Sequence, residues 1–259
     1  MNGFAEADLT CDGFLGGRIR LWQPRKGYRA AIDPVLLAAF APAASGMRVL
    51  DLGCGAGTAG LCLAARTPGI ELHGLERRGE YLDLARRNAA ENGIAFVGHE
   101  GDVLRPPPAV KAASFDLVLT NPPYHPAASA AAPDAGRDAA NREATGVDAW
   151  IAAALRRLRP GGVLALVHLP ARLPAILAAL DGPAGAIAVL PALPREGKPA
   201  TRVLVRAVKG RKAAMTLLAP LTLHAGGGGD GGREGYAPAV AAVLRGESAL
   251  ADDTCGARA

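Results

Sequence analysis

Val49–Gly60 reads VLDLGCGAGTAG. An apolar run ends at Asp51 and Leu52, and Gly53, Gly55 and Gly57 follow at alternate positions. The run predicts a buried strand. The glycines predict a tight turn into the next helix, where backbone can approach a ligand closely. The phosphate turn of dinucleotide folds has G-x-G-x-x-G spacing and no acid before it. Here the order is D-x-G-x-G-x-G, and a carboxylate at Asp51 would repel a pyrophosphate and favour a cationic ligand.

Outward from this stretch the chain alternates strands and helices. MRVLDLG, IELHGLE, IAFVGHEGD, FDLVLTN and VLALVHL read as strands. EYLDLARRNAAENG puts Tyr81, Leu84, Ala85, Asn88, Ala89 and Asn92 on one helical stripe, closed by Gly93. DAWIAAALRRLRPGG reads as a helix ended by Pro-Gly-Gly, and ARLPAILAAL as another. AIAVLPAL and TRVLVRAV are strands with no helix between them, which predicts an antiparallel hairpin at one edge. The fold expected is α/β, a Rossmann-like, doubly wound, mostly parallel seven-stranded sheet. Before it, CDGFLGGRIRLWQPRKGY suggests a small hairpin. A helix follows, with Asp33 as N-cap, Pro34 at the first helical position and VLLAAFA as its body. Three segments result: an N-terminal cap (1–44), the main domain (45–212) and a C-terminal extension (213–259) with a flexible Gly-rich linker, GGGGDGGREG.

The strand ends carry the chemistry. Glu76 closes the second strand, where a carboxylate can accept both hydroxyls of a ribose. Asp102, after the third, can accept an adenine amine. With Asp51 they form a row of acceptors along the carboxyl edge of the sheet, suited to S-adenosylmethionine with its sulfonium and ammonium groups. The fourth strand runs into Asn121-Pro122-Pro123-Tyr124. Two prolines stiffen this turn. The Asn121 side-chain oxygen and the Pro122 carbonyl can then converge on an amine, and Tyr124 can stack on the planar group bearing it. No strong base is required, because orientation and charge placement suffice.

Together these motifs resemble the class I S-adenosylmethionine-dependent methyltransferases over roughly residues 45–208. Within that class, Asn-Pro-Pro-Tyr marks enzymes of planar nitrogens: adenine, ribosomal guanine and release-factor glutamine methyltransferases. The flanks GGRIRLWQPRKGYRAAIDPVLLAAFAP and REGKPATRVLVRAVKG look most like the bacterial tRNA (valine) adenine-N6 methyltransferase family. The resemblance implies that Asp51, Gly53, Gly55 and Gly57 hold the methionine end of the cofactor, Glu76 its ribose and Asp102 its adenine. It implies that Asn121–Tyr124 hold the target amine, and that Tyr28, Arg29 and Asp33 lie at the cofactor mouth. It also implies an adenine N6 amine in tRNA near the anticodon as substrate. A family aromatic after the motif is replaced here by His125. A protein glutamine amide or another planar amine, and a non-catalytic cofactor- or RNA-binding module, are the competing functions.

The 259 residues are 50% hydrophobic and 20% charged, a composition for a packed domain. The net charge is +5, and basic residues gather in Arg18–Arg29 and Arg195–Lys212, a candidate nucleic-acid surface. Cys11, Cys54, Cys62 and Cys255 and the five scattered histidines give no disulfide framework and no metal site. The cysteine pattern fits a reducing cytosol, and with neither a signal-like N-terminus nor an apolar run of about 20 residues a cytoplasmic protein is expected. No strongly apolar surface segment is evident outside the sheet, so a monomer is expected.

Overall fold

A computed structural model of the protein describes residues 3–124, 146–225 and 235–250. Residues 125–145 (His125 among them), most of the Gly-rich run and the last nine residues lie outside the described residues.

The predicted hairpin is β1 (Leu9–Phe14) paired antiparallel with β2 (Ile19–Pro24). Next come α1 (Asp33–Phe40), β3 (Arg48–Leu52), α2 (Thr58–Arg66), β4 (Glu71–Glu76), α3 (Gly79–Glu91) and β5 (Phe96–Glu100). A short helix that periodicity did not reveal, α4 (Pro108–Ala112), precedes β6 (Phe115–Thr120). Then follow α5 (Val147–Arg157), β7 (Leu158–His168), α6 (Leu173–Leu180), β8 (Ala184–Leu193) and β9 (Arg202–Lys209). The C-terminal segment adds the two-residue strands β10 (Thr216–Leu217) and β11 (Leu221–Thr222), and α7 (Pro238–Leu244).

The sheet order is β10-β8-β9-β7-β6-β3-β4-β5, with β11 also on β8. The seven predicted strands are present and two short ones extend them. β3–β7 are parallel, while β9 runs antiparallel to both β7 and β8. Successive strands go outward from β3 to β5, then cross to β6 on the other side. The switch point therefore lies between β3 and β6, where such sheets bind ligands beyond their carboxyl ends.

Pro-Gly-Gly does not end a helix, as the sequence suggested. Arg159–Gly162 lie inside β7, and the register on β6 slips there, from Phe115↔Leu158 to Leu117↔Val163. Proline lacks a ladder N–H and Gly161 has φ +75°, so the strand bulges instead.

One apolar cluster joins all three segments of the chain. It includes Leu15, Ile19 and Leu21 of the hairpin region, Leu36, Leu37 and Phe40 of α1, Leu61 and Leu63 of α2, and Leu223, Val240 and Val243 of the C-terminal segment. A second cluster on the opposite face packs Leu50, Leu75, Phe115 and Val118 against α5 and α6.

Candidate active site

The register Leu52↔Thr120 sets the glycine turn directly beside Asn121. The floor between them is tied by Thr120, whose Oγ1 donates to the Leu52 carbonyl (2.8 Å) and accepts from Trp150 Nε1 (2.6 Å). Trp150, on α5, lies against Gly53: a Cβ there would sit 2.8 Å from its ring, at a residue with φ +77°. Only glycine satisfies both conditions.

The turn's amides are spent inward. Gly53 and Cys54 donate to the Leu75 carbonyl, Gly55 to Glu76 Oε2 (3.0 Å), and Gly57 to the Cys54 carbonyl. The sequence expectation that these amides face a ligand is thus corrected. A phosphate would find no donor at these four positions, which agrees with the exclusion of a dinucleotide. What surrounds the turn is carboxylate. Asp51 is 2% exposed and its Oδ2 accepts the Gly60 amide (2.8 Å). Burial pushes Asp51 up to about 7, against the Gly60 hydrogen bond and with help from nearby Glu76. Glu76 accepts the Arg78 amide (3.0 Å) with its other oxygen, so one oxygen braces the glycine turn and the other the start of α3. Asp102 is exposed after β5 and accepts the Leu104 amide (2.8 Å). The three carboxylates stand at the ends of three adjacent strands. This acceptor set suits a ligand that is cationic at one end and carries a diol and an amine. Burial first, then Asp51 and Glu76, push the Cys54 thiol well above its usual range, so it is no nucleophile here.

Tyr28 joins the two motifs. Its ring covers Gly55, and its hydroxyl accepts from Asn121 Nδ2 (3.3 Å). Its backbone N–H donates to the Tyr81 hydroxyl (3.1 Å). Pro122 is buried and Pro123 exposed, so the stiff turn is anchored on one side.

Asp33 does not cap its helix. Ile32 holds that position and no side-chain cap bond exists. The Asp33 carboxylate instead accepts the Tyr124 hydroxyl (2.9 Å) and Arg202 Nε (2.9 Å). Arg29 faces the hairpin: it pairs with Asp12 (2.8 Å) and donates to Thr10 Oγ1 and the Pro24 carbonyl. It lines a separate cavity of about 530 Å³ between the hairpin region and the C-terminal segment. Sequence reasoning missed Trp150, His168 and Arg202 as site residues. No short motif marks them, because the fold brings them from far along the chain.

The basic run Arg195–Lys212 is not one surface, contrary to the sequence expectation. β9 begins at the carboxyl edge, where Val203 faces His168, and ends at the opposite edge, where Val208 faces Val163. Arg195 and Lys198 therefore stand on the turn beside the site, while Lys209, Arg211 and Lys212 follow the far end, about 23 Å away along the strand. Arg206 between them is fully buried against Phe40. In the first run, Arg18 is committed to the carbonyls of Ala65 and Gly246, and Arg25 to that of Ala7. Among the described residues no helix is long and apolar enough to cross a membrane.

Residues 32–178 match the methyltransferase small domain family. The chain is 33% identical to a tRNA1(Val) (adenine(37)-N6)-methyltransferase of Aeromonas hydrophila, over 76% of this chain and 84% of that protein. It is 32% identical to a release factor glutamine methyltransferase of Gloeobacter violaceus, over 60% of this chain and 56% of that one. It spans about half the length of several other curated relatives it matches. Among solved structures, a predicted O-methyltransferase of Agrobacterium tumefaciens superposes with a TM-score of 0.68 at 30% identity, over 85% of this chain and 99% of that one. A 16S rRNA N2 methyltransferase of T. thermophilus, in complex with AdoMet and guanosine, shares the fold with a TM-score of 0.54 at 23% identity, over 78% of this chain and 50% of that one.

Proposed function

The chain belongs to the methyltransferase small domain family and is an S-adenosylmethionine-dependent methyltransferase, and on that premise we propose that it methylates the N6 amine of an adenine in tRNA beside the anticodon. The observation that carries the reading is the seating of Asn121–Tyr124 beside the carboxylate-lined glycine turn through Leu52↔Thr120. The choice of tRNA rests on similarity to the Aeromonas relative along most of its length.

The cofactor supplies an electrophilic methyl group. Asp51 and the turn Gly53–Gly57 hold its cationic end, Glu76 its ribose and Asp102 its adenine, with Tyr28 at the mouth. The hydrogen bond to Tyr28 directs the amide nitrogen of Asn121 away and leaves Oδ1 as the acceptor for a target amine. Oδ1 and the Pro122 carbonyl take the two N–H hydrogens, which aims the nitrogen lone pair at the methyl. Tyr124 stacks on the base. An anticodon loop presents unpaired bases, so stacking costs less than flipping from a duplex. Arg195 and Lys198 take phosphates on the same edge, with Lys26 of the N-terminal region. The enzyme acts in the cytoplasm, as a monomer.

The test is transfer of labelled methyl from S-adenosylmethionine to total RNA from a strain lacking the gene, followed by nucleoside mass spectrometry. N6-methyladenosine in the tRNA fraction is expected. Label in protein rather than RNA would replace this reading with the glutamine one. Asn121→Ala is expected to bind S-adenosylmethionine within about twofold of wild type and to lose roughly 100-fold or more in turnover. Unchanged turnover in that variant would remove Asn121 from the mechanism.

A further inference from the structure

Tyr124 is held by residues from three distant parts of the chain. Its hydroxyl donates to Asp33 Oδ2 at 2.9 Å. The same oxygen accepts Arg202 Nε at 2.9 Å, and Arg202 Nη1 donates to the Thr201 carbonyl at 2.8 Å. The Arg202 guanidinium lies 4.9 Å from the centre of the Tyr124 ring. His168, 2% exposed at the end of β7, packs its ring 5.2 Å from the same centre, tilted by 52°. Its Nδ1 accepts the Leu169 amide at 2.7 Å, which fixes the imidazole in turn.

We propose that the Asp33–Arg202 ion pair is a positioning device that sets the plane of the Tyr124 ring, and through it the plane of the bound target base. The inference rests on the reading that Tyr124 carries that base. A base stacked on Tyr124 inherits the ring's orientation, and its amine must then meet the acceptors on Asn121 and Pro122, three and two residues back on the same stiff turn. A displacement of about 1 Å at such a point costs as much as 100-fold in rate. The tyrosine's own backbone is not enough to fix this, because rotation about χ1 and χ2 would swing the ring. The hydroxyl bond to Asp33 fixes χ1. The phenol oxygen lies on the χ2 axis, so the plane itself is set by the Arg202 guanidinium, which Asp33 holds over the ring, and by the His168 ring packed against it. Burial, with Arg172 and Arg202 next, depresses His168 to about 4. It therefore packs as a neutral ring at physiological pH and adds no charge against Arg202. Burial and then the Asp33 carboxylate raise Tyr124 beyond any physiological pH, so the phenol remains a donor. Asp33 thereby acts through Tyr124 rather than on the cofactor.

The test combines Asp33→Asn, Tyr124→Phe and their double variant in the full chain. Each single variant is expected to lower kcat on tRNA roughly 10- to 100-fold. Both should leave S-adenosylmethionine affinity, read by calorimetry, within about twofold of wild type. The double variant should be no slower than the worse single one, since both loosen the same clamp: Asp33→Asn removes the charge that holds Arg202, and Tyr124→Phe removes the hydroxyl. Multiplicative losses, or a loss of cofactor affinity in Asp33→Asn that matches its loss of kcat, would overturn the proposal. Carbon-labelled tyrosine supplies a readout free of substrate: the Tyr124 ζ-carbon resonance, assigned with Tyr124→Phe, should shift in Asp33→Asn. An unmoved resonance would also overturn it. Should Asp33→Asn not fold, Arg202→Lys keeps the charge and loses the planar cover. It is expected to lower kcat with cofactor affinity intact, and full activity in it would exclude the clamp. If wild type methylates no tRNA, the tRNA reading fails, while the resonance and affinity still decide the role of Asp33.

Discussion

Asp51 has a structural task and, in the proposed function, a second one toward the cofactor. It fixes the start of α2 by accepting the Gly60 amide, yet burial holds it near 7, well above an ordinary carboxylate. A cationic ligand beside it favours the charged form. Below about pH 7 binding must therefore expel a proton from Asp51, and above it none. The sign follows: affinity for S-adenosylmethionine rises with pH through about 7 and then levels. At pH 6 the dissociation constant should be several-fold weaker than at pH 7.5, approaching tenfold. Calorimetry in buffers of different ionisation enthalpy would count the released proton. Equal affinity and no proton release at pH 6 would detach Asp51 from the cofactor. At Gly53 the reasoning is steric rather than electrostatic. Its positive φ was implied by the turn, but the ring of Trp150 beneath it belongs to a helix nearly a hundred residues later.

The joining of hairpin to domain depends on α3. Asn88 and Asn92 stand one helical turn apart and imitate a strand toward β2. Asn88 Oδ1 accepts the Trp22 amide (2.7 Å) and its Nδ2 donates to the Trp22 carbonyl (3.1 Å). Asn92 does the same for Arg20, at 2.9 and 2.7 Å. Asn88 also donates to the Ala56 carbonyl (3.0 Å), so it links β2 to the glycine turn as well. The edge of β2 is thereby satisfied without another strand. Asn88 is fully buried, so Asn88→Leu would strand a buried N–H and two carbonyls. A loss of about 2–4 kcal/mol in denaturant-induced unfolding is expected. Asn88→Leu with wild-type stability would show that the hairpin docks by apolar contact alone. Periodicity placed both asparagines on the buried stripe of α3. Their partners were not legible, because a stripe gives the face of a helix and not what lies across from it.

Across the molecule, the C-terminal segment is part of the core rather than an attachment to it. Val240 and Val243 of α7 are buried beside α1, Arg66 of α2 donates to the carbonyls of Val243 and Ser248, and the Leu250 amide donates to Ala39. For the proposed RNA binding, the course of β9 across the sheet matters more, since it divides one basic run between two edges. Lys198→Ala is expected to weaken tRNA binding and to reduce the slope of log affinity against log salt by about 0.7–0.9, the share of one phosphate. Lys212→Ala, at the far edge, should leave both unchanged. Filter binding at several salt concentrations would decide, and equal effects at the two lysines would mean that RNA reaches around the sheet.

The order of strands and helices and the standing of Asp51, Glu76 and Asp102 at the ends of adjacent strands were legible in the sequence. Each depends on local rules: apolar periods, glycine turns, and the rule that a parallel strand delivers its last residues to one edge. The glycine turn and Asn121–Tyr124 were legible as motifs for the same reason. Contacts between residues far apart in sequence were not. Asp33 looked like a helix cap because its neighbours allow one, but its carboxylate is taken by Tyr124 and Arg202, which only the packing of α1 against the end of β9 brings within reach. Pro-Gly-Gly looked like a stop because an isolated helix would end there, yet pairing with β6 draws it into a bulged strand. Local preference yields wherever a hydrogen bond or a buried face made with a distant segment stabilises the chain more than the local alternative does.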